Sequence, residues 1–264
     1  MKLSSGSRSR SADQGVYESS IDPMYSNGVY VRESSGYKDA AYKVDQLIRL
    51  PARNENLFHE GGVPQTVADV GCGSGRTTFL LGERLTSLRG VSPLVDGCDV
   101  HSDLPESAEG GPSFISGDFC VAARRVYDMV VLFDVMEHVP GPAEFLAAAG
   151  RFARLVALHI PLDDSLFGWL RGLPSHKLEF PGHLLVLNPS TAMNLLAIAG
   201  LRVVDFRYSP VFRAPSGWQT MRQRMLYPVR AVAYALSPYM TQRLLGGVSL
   251  VVLAKTRLGL EERC

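Results

Sequence analysis

The sequence predicts an α/β fold, in which a doubly wound sheet of seven strands carries helices on both faces. Three observations lead to this prediction. Short β-rich segments alternate with helical segments from residue 66 onwards, a glycine-rich turn follows the first of them, and the apolar run at 129–133 is too short and too β-rich for a helix. Such an alternation is typical of a mostly parallel sheet whose crossover connections are helices.

The first 65 residues precede the predicted sheet. Residues 1–20 are rich in Ser, Arg and Gly, which predicts a disordered tail without the apolar centre of a signal peptide. Residues 21–65 are predicted to form an N-terminal lid and a helix. The helix is expected at 37–50, because its apolar residues recur on one face and Pro51 is expected to end it.

Residues 66–264 are predicted to form the domain that contains the sheet. A proline occupies the first turn of one helix at Pro142, where its missing N–H costs nothing, and Asn188 and Gly200 mark the start and the end of another. The predicted helices of this domain lie at 76–85, 141–152 and 188–199. The predicted strands, short runs rich in Val, Ile, Leu and Phe, lie at 67–70, 94–99, 113–116, 129–133, 155–160, 201–206 and 248–254.

Two segments interrupt the alternation and are predicted to form a cap over the substrate. Residues 161–187 show no clear element, and connections of that length are usually functional. Residues 210–246 separate the last two strands and contain an apolar stripe with helical spacing at 229–236. The stripe is interpreted first as core, with contact to a membrane surface as the alternative.

Composition excludes several classes of protein. Lys and Arg total 27 against 26 Asp and Glu, a balance that argues against a nucleic-acid binder. The four cysteines lack short paired spacings, which argues against a disulfide scaffold or a Cys-rich zinc site and favours a reduced, cytoplasmic setting. No apolar run is long enough to predict a transmembrane segment. Residues 206–260 hold eight basic and no acidic residues, which indicates either a solvated surface or attraction to an anionic acceptor or membrane.

The glycine-rich turn follows the first predicted strand, where open α/β sheets bind ligands. Its spacing is G-x-G-x-G, with Gly71, Gly73 and Gly75, and it ends at Arg76 where the dinucleotide fingerprint requires a further glycine. The spacing therefore counts against NAD or FAD and against a nicotinamide-dependent oxidoreductase. The free N–H groups of the following helix suit an anionic group.

Acidic residues end the next two strands. Asp99 can accept hydrogen bonds from a ribose diol, and Asp118 can accept from an adenine amino group, with Phe119 beside it for backbone and ring contacts. Either acid alone is often a loop residue or a helix cap. Both at the ends of successive strands predict a nucleoside site.

With these motifs the sequence resembles the class I S-adenosylmethionine-dependent methyltransferases. The matching stretches are VADVGCGSGRTT (67–78), GCDV (97–100), SGDF (116–119) and FDVMEHVPGP (133–142), and the last is similar to the small-molecule relatives of the ubiquinone-biosynthesis O-methyltransferases. The resemblance implies a Rossmann-like seven-stranded sheet with an antiparallel last strand, and S-adenosylmethionine as cofactor with S-adenosylhomocysteine as product.

The resemblance also implies which residues bind the cofactor. Asp69 and the three glycines, with Cys72 among them, would surround its methionine end. The ribose would be held by Asp99, next to Val100, and the adenine by Asp118 and Phe119. Phe133 and Asp134, after the fourth strand, would approach the sulfonium.

Histidine is the natural general base near neutral pH for a hydroxyl acceptor. His183 is the preferred candidate, because it precedes the helix at 188 and resembles a histidine of the ubiquinone-type enzymes. His138 and His159 are the other candidates, each with a structural role as its alternative interpretation. Asp134 and Glu137 remain alternative bases or ligands for a divalent ion, and no metal site is predicted.

The sequence thus predicts a methyltransferase acting on a hydroxyl of a small molecule, such as a sugar, a glycan precursor or a secondary metabolite. Methylation of nitrogen or carbon on a similar or lipid-linked anionic molecule is one alternative. A regulator that binds the cofactor without turnover is another.

Overall fold

The computed structural model describes residues 35–58, 62–100, 104–107, 110–179 and 182–261. The predicted disordered tail and most of the predicted lid lie outside these residues. The strands are β1 (Thr66–Val70), β2 (Leu94–Asp99), β3 (Ser113–Ser116), β4 (Tyr127–Phe133), β5 (Ala153–Pro161), β6 (Arg202–Ser209) and β7 (Ser249–Lys255). The helices are α1 (Ser35–Arg53), α2 (Arg76–Arg89), α3 (Phe119–Ala122), α4 (Pro142–Ala149), α5 (Leu166–Leu170), α6 (Leu173–Glu179), α7 (Pro189–Ile198), α8 (Met221–Leu236), α9 (Pro238–Leu245) and α10 (Arg257–Glu261).

The seven strands form a single sheet in the order β3-β2-β1-β4-β5-β7-β6. Strands β1 to β5 pair in parallel, whereas β7 runs antiparallel to both β5 and β6, as the resemblance implied. The order reverses direction between β1 and β4. Open α/β sheets bind ligands at the carboxyl ends of the strands beside such a switch point.

Both faces of the sheet are covered by apolar packing. One face packs with α4 and α7 and includes Leu146 and Leu196, and the other packs with α1 and α2 and includes Leu47 and Leu85. All four of these side chains are fully buried. Because helices cover both faces, side chains on both sides of the central strands are buried, and residues 129–133 of β4 are buried without interruption.

The helix predicted at 37–50 is longer than expected, and the prediction that Pro51 ends it is wrong. Helix α1 continues through Pro51 to Arg53. Pro51 lies in the last turn, where few intrahelical hydrogen bonds remain to be lost. The end of the helix is closed instead by Asn54, whose backbone N–H and side-chain amide both donate to the carbonyl of Leu50.

The two predicted cap segments are more ordered than the sequence indicated. Residues 161–187 contain the short helices α5 and α6, and α5 begins where the hydroxyl of Ser165 accepts from the N–H of Gly168. Helices of five and seven residues are too short to show apolar periodicity, so they could not be predicted from the sequence. Residues 210–246 form α8 and α9. No helix in the described part of the chain combines the length and apolar character that a membrane crossing requires.

Candidate active site

The glycine-rich turn joins β1 to α2, and its three glycines all have left-handed backbones. The φ angles are 75° at Gly71, 52° at Gly73 and 74° at Gly75. A Cβ at Gly71 would lie 2.5 Å from Val135, and one at Gly75 would lie 2.7 Å from the ring of Phe114. A Cβ at Gly73 would meet no atom of the described chain within 4 Å. The outer glycines therefore let the turn pack on the sheet, and the middle one has no described neighbour on the side where a Cβ would point.

Asp69 lies in β1 beneath this turn and is fully buried. One carboxylate oxygen accepts from the hydroxyls of Thr77 and Thr78, at 2.7 Å and 2.8 Å. The other oxygen is buried and finds no hydrogen-bond partner among the described residues. Burial raises the pKa of Asp69 to about 6. Cys72, in the turn itself, is also buried, and burial raises the pKa of its thiol, so it stays protonated.

Asp99 connects the end of β2 to the turn. Its carboxylate accepts from the N–H of Gly73 at 2.8 Å, which fixes the middle of the turn against the neighbouring strand. Val100 follows Asp99 and is exposed. The two residues predicted to hold a ribose therefore lie at the carboxyl edge, beside the open side of Gly73.

Asp118 and Phe119 lie after β3 at the same edge. The Asp118 carboxylate caps α3 by accepting from the N–H of Cys120 at 2.8 Å. The Phe119 ring is buried and packs against Tyr127 and Phe152, so the ring belongs to the core. Its backbone is the part of Phe119 that lies along the edge.

A partly buried carboxylate lies at the end of β4, next to Phe133. Asp134 forms an ion pair with Lys43 of α1 and a 2.6 Å hydrogen bond with Nδ1 of His159 of β5. Burial opposes ionisation, but attraction to Lys43 and His159 outweighs it and holds the pKa of Asp134 below its usual range. Asp134 has a φ of 54°, and non-glycine residues in this region cluster at functional sites.

His159 presents its second nitrogen without a partner. Nδ1 bonds the Asp134 carboxylate, and Nε2 is buried with no hydrogen-bond partner in the ranges that the structure describes. Because Asp134 is ionised, it favours the tautomer with a proton on Nδ1 and a lone pair on Nε2. The arrangement matches an aspartate that orients a histidine base.

His138 and His183 meet beside Glu137, with their ring centroids 4.9 Å apart. Nε2 of His138 lies 3.9 Å from Oε1 of Glu137, and Nε2 of His183 lies 3.8 Å from the same oxygen. Nδ1 of His183 bonds Asp163 at 2.9 Å. Burial and the neighbouring His183 lower the pKa of His138 to about 4, so this ring is neutral near neutral pH.

The three candidate histidines thus divide into two groups, His159 with Asp134 and His138 with His183. Each group has one further partner that was not predicted from the sequence. Lys43 lies 91 residues before Asp134, in a separate helix, and nothing in the sequence links the two. Asp163 follows β5 directly, and an acidic residue after a predicted strand was a signal that could have found it. The predicted lid residues before 35 lie outside the described part of the chain.

Comparison with known proteins identifies the family. A family model described as a methyltransferase domain matches residues 41–205, more than half of the chain. The comparison with curated proteins gave no match.

Solved structures share the fold. A Synechocystis magnesium protoporphyrin IX methyltransferase with bound SAH has a TM-score of 0.53 and 17% identity, covering 91% of this chain and 97% of that one. A Haloferax volcanii protein in complex with a methyltransferase activator has a TM-score of 0.54 and 16% identity, covering 89% and 96%. An Archaeoglobus fulgidus SAM-dependent methyltransferase has a TM-score of 0.50 and 17% identity, covering 82% and 94%. At these identities the likeness concerns the fold.

Proposed function

The chain belongs to the family of S-adenosylmethionine-dependent methyltransferase domains, and from this premise we propose that it methylates a hydroxyl oxygen of a small molecule. The acceptor class is a sugar, a glycan precursor or a secondary metabolite. The observation that carries the proposal is the buried Nε2 of His159, which has no hydrogen-bond partner among the described residues and is held in place by Asp134.

The residues at the sheet edge fit the cofactor. One Asp69 oxygen has no partner among the described residues and suits the ammonium of the methionine end of the cofactor. At Gly73 no described atom lies where a Cβ would be, so a ligand can approach the backbone there. Asp99 and Asp118 offer carboxylates for the ribose and the adenine amino group. When bound, S-adenosylmethionine supplies a methyl group on a positively charged sulfur.

The work left to the protein is to position the acceptor and accept its proton. We place the base at His159 rather than at His183, because Nε2 of His183 faces the Glu137 carboxylate while Nε2 of His159 has no partner within the described residues. A hydroxyl donating to Nε2 of His159 would pass its proton there as its oxygen bonds to the methyl carbon and the bond between that carbon and the sulfur breaks. S-adenosylhomocysteine would be the leaving group. Asp134 stabilises the resulting imidazolium.

The test has two steps. Candidate alcohols are incubated with the protein and S-adenosylmethionine, and mass spectrometry locates the added methyl group. With the acceptor identified, we expect His159→Gln to lower kcat by about 10²–10⁴-fold and to leave the affinity for S-adenosylhomocysteine unchanged. His176→Gln, at an exposed histidine of α6, is the matched control. Methylation at nitrogen or carbon, or an unchanged kcat in His159→Gln, would contradict the proposal.

A second feature favours an acceptor that is anionic or presented at a membrane. Helix α8 has no buried residue. Five apolar side chains form a stripe along it, and each of them is more than half exposed. The stripe consists of Met221, Met225, Val229, Val232 and Leu236. The basic, acid-free region 206–260 surrounds it. An amphipathic helix with arginines beside an apolar stripe is suited to an anionic lipid surface, so we propose that α8 contacts one.

A further inference from the structure

Glu137, His138 and His183 form a cluster that the proposed transfer step does not use. Their potential ligand atoms all lie within 4.8 Å of one another. We propose that these three residues bind a divalent transition-metal ion of the Zn²⁺ or Mn²⁺ class. The inference depends on the geometry of the cluster and not on the identity of the acceptor.

The carboxylate of Glu137 is the first reason. Its side chain is 1% exposed, and neither carboxylate oxygen has a hydrogen-bond partner within the described ranges. A buried carboxylate without partners is costly, and proteins normally compensate such a group with a counter-charge or a metal ion. A cation between Glu137 and the two imidazoles would supply the missing interaction.

The orientation of the two imidazoles is the second reason. Nδ1 of His138 lies 3.2 Å from the carbonyl of Gly182, and Nδ1 of His183 lies 2.9 Å from the Asp163 carboxylate. Both acceptors place the proton on Nδ1, so in each ring the lone pair is on Nε2, the atom that faces Glu137. Histidines that bind metals typically donate their other N–H to a carbonyl or a carboxylate in this way.

The distances are close to those of a metal site. Zinc binds nitrogen and oxygen ligands at about 2.0–2.2 Å, which separates tetrahedral ligands by about 3.4 Å. The two Nε2 atoms lie 3.9 Å and 3.8 Å from Oε1 of Glu137, so each of these two separations needs to close by roughly half an ångström. All the ligand atoms lie within 4.8 Å of one another, so the two imidazoles also have to approach each other when the ion binds.

The donor set indicates the kind of ion and leaves room for a further ligand. Two imidazoles and a carboxylate favour Zn²⁺, Mn²⁺ or Fe²⁺ over Mg²⁺ and Ca²⁺, which prefer oxygen ligands. Three protein ligands leave at least one position open in a four-coordinate ion.

Metal binding is measured directly, without turnover. The full chain is treated with a chelator and dialysed, and Zn²⁺, Mn²⁺ and Mg²⁺ are titrated by calorimetry. Co²⁺ serves as a spectroscopic probe, because its visible absorption reports imidazole ligation. We expect saturable binding of one Zn²⁺ per chain, weaker binding of Mn²⁺ and the weakest binding of Mg²⁺.

The variants assign the site. Glu137→Gln should weaken Zn²⁺ binding by more than about 100-fold. Asp163→Asn, which replaces the charged acceptor that orients His183 with a neutral amide, should weaken it by about 10–100-fold. The controls Glu144→Gln and His176→Ala change an exposed acid and an exposed histidine outside the cluster and should leave binding unchanged. The melting temperature of each variant with S-adenosylhomocysteine shows that it is folded, and it tests the cofactor site separately.

Two results would overturn the site. One is the absence of saturable binding of any of these ions to folded protein, which is expected if Glu137 is simply protonated in the buried cluster. The other is binding that Glu137→Gln and Asp163→Asn leave unchanged, which would place the ion elsewhere. If S-adenosylhomocysteine does not bind while the metal ion does, the result would contradict the proposed function and not the metal site.

Discussion

At the scale of single residues, several side chains of the candidate site bury polar atoms that have no hydrogen-bond partner among the described residues. Asp69 has one oxygen bonded to two threonines and the other without a partner among the described residues. Burial raises its pKa from an unfolded value near 3.9 to about 6. In the free protein the stabilising effect of this shift is therefore present below about pH 4 and is lost as the pH rises through about 6.

This shift predicts a pH dependence of cofactor binding. If the Asp69 carboxylate accepts from the cofactor ammonium, a protonated Asp69 binds poorly. The affinity for S-adenosylhomocysteine should then fall as the pH drops below about 6, by up to about tenfold per pH unit. Asp69→Asn should bind at least about tenfold more weakly at neutral pH and show no such slope.

Calorimetry between about pH 5 and about pH 7 checks this expectation. Asp45→Asn, which removes an exposed carboxylate paired with Arg84, is the control and should keep the wild-type slope. A wild-type affinity that is constant over this range, or the same slope in Asp69→Asn, would show that Asp69 does not contact the ligand.

At the scale of elements, α8 is the least expected part of the molecule. The sequence predicted an apolar stripe at 229–236 and favoured a place in the core. The structure shows this stripe extended to Met221 and exposed, with Leu236 83% exposed. Periodicity identifies the face of a helix that is apolar, but it does not show what covers that face, so the sequence alone could not distinguish core from surface.

The proposed membrane contact of α8 predicts binding to vesicles. The protein should sediment with vesicles containing phosphatidylserine and less with vesicles of phosphatidylcholine alone. Two double variants test this contact. One combines Met225→Ser with Val232→Ser, and the other combines Arg222→Glu with Arg224→Glu. Each should lower vesicle binding by about tenfold or more. Arg230 is less suitable for charge reversal, because it is partly buried and donates to the carbonyl of Leu245.

Matched controls lie on other surfaces. Ile198→Ser removes an exposed apolar side chain of α7, and Arg124→Glu reverses an exposed charge after α3. Both should bind vesicles as the wild type does. Equal binding to anionic and neutral vesicles, or no effect of the α8 variants, would leave α8 without a role at a lipid surface.

At the scale of the whole molecule, the sheet could be predicted because its signals are local. The apolar run of β4, the glycines after β1 and the acids after β2 and β3 each lie within a few residues, and the fold brings them to one edge. The contacts between Lys43 and Asp134, and between Asp163 and His183, join separate elements. Their side chains meet only through packing, so a sequence without the fold could not pair them.

We expect the carboxyl edge of the sheet to bind S-adenosylmethionine through the turn at Gly73 and the acids around it. The most direct test is thermal unfolding of the full chain with S-adenosylmethionine, S-adenosylhomocysteine, NAD or no ligand, for the wild type and Asp99→Ala. At about 100 times its dissociation constant a ligand adds about 2.7 kcal/mol, which for a chain of this size raises the melting temperature by about 5–10 °C. We expect this rise with the two sulfur compounds, none with NAD, and a smaller rise in Asp99→Ala. A rise with NAD, or no rise with either sulfur compound in folded protein, would contradict the account.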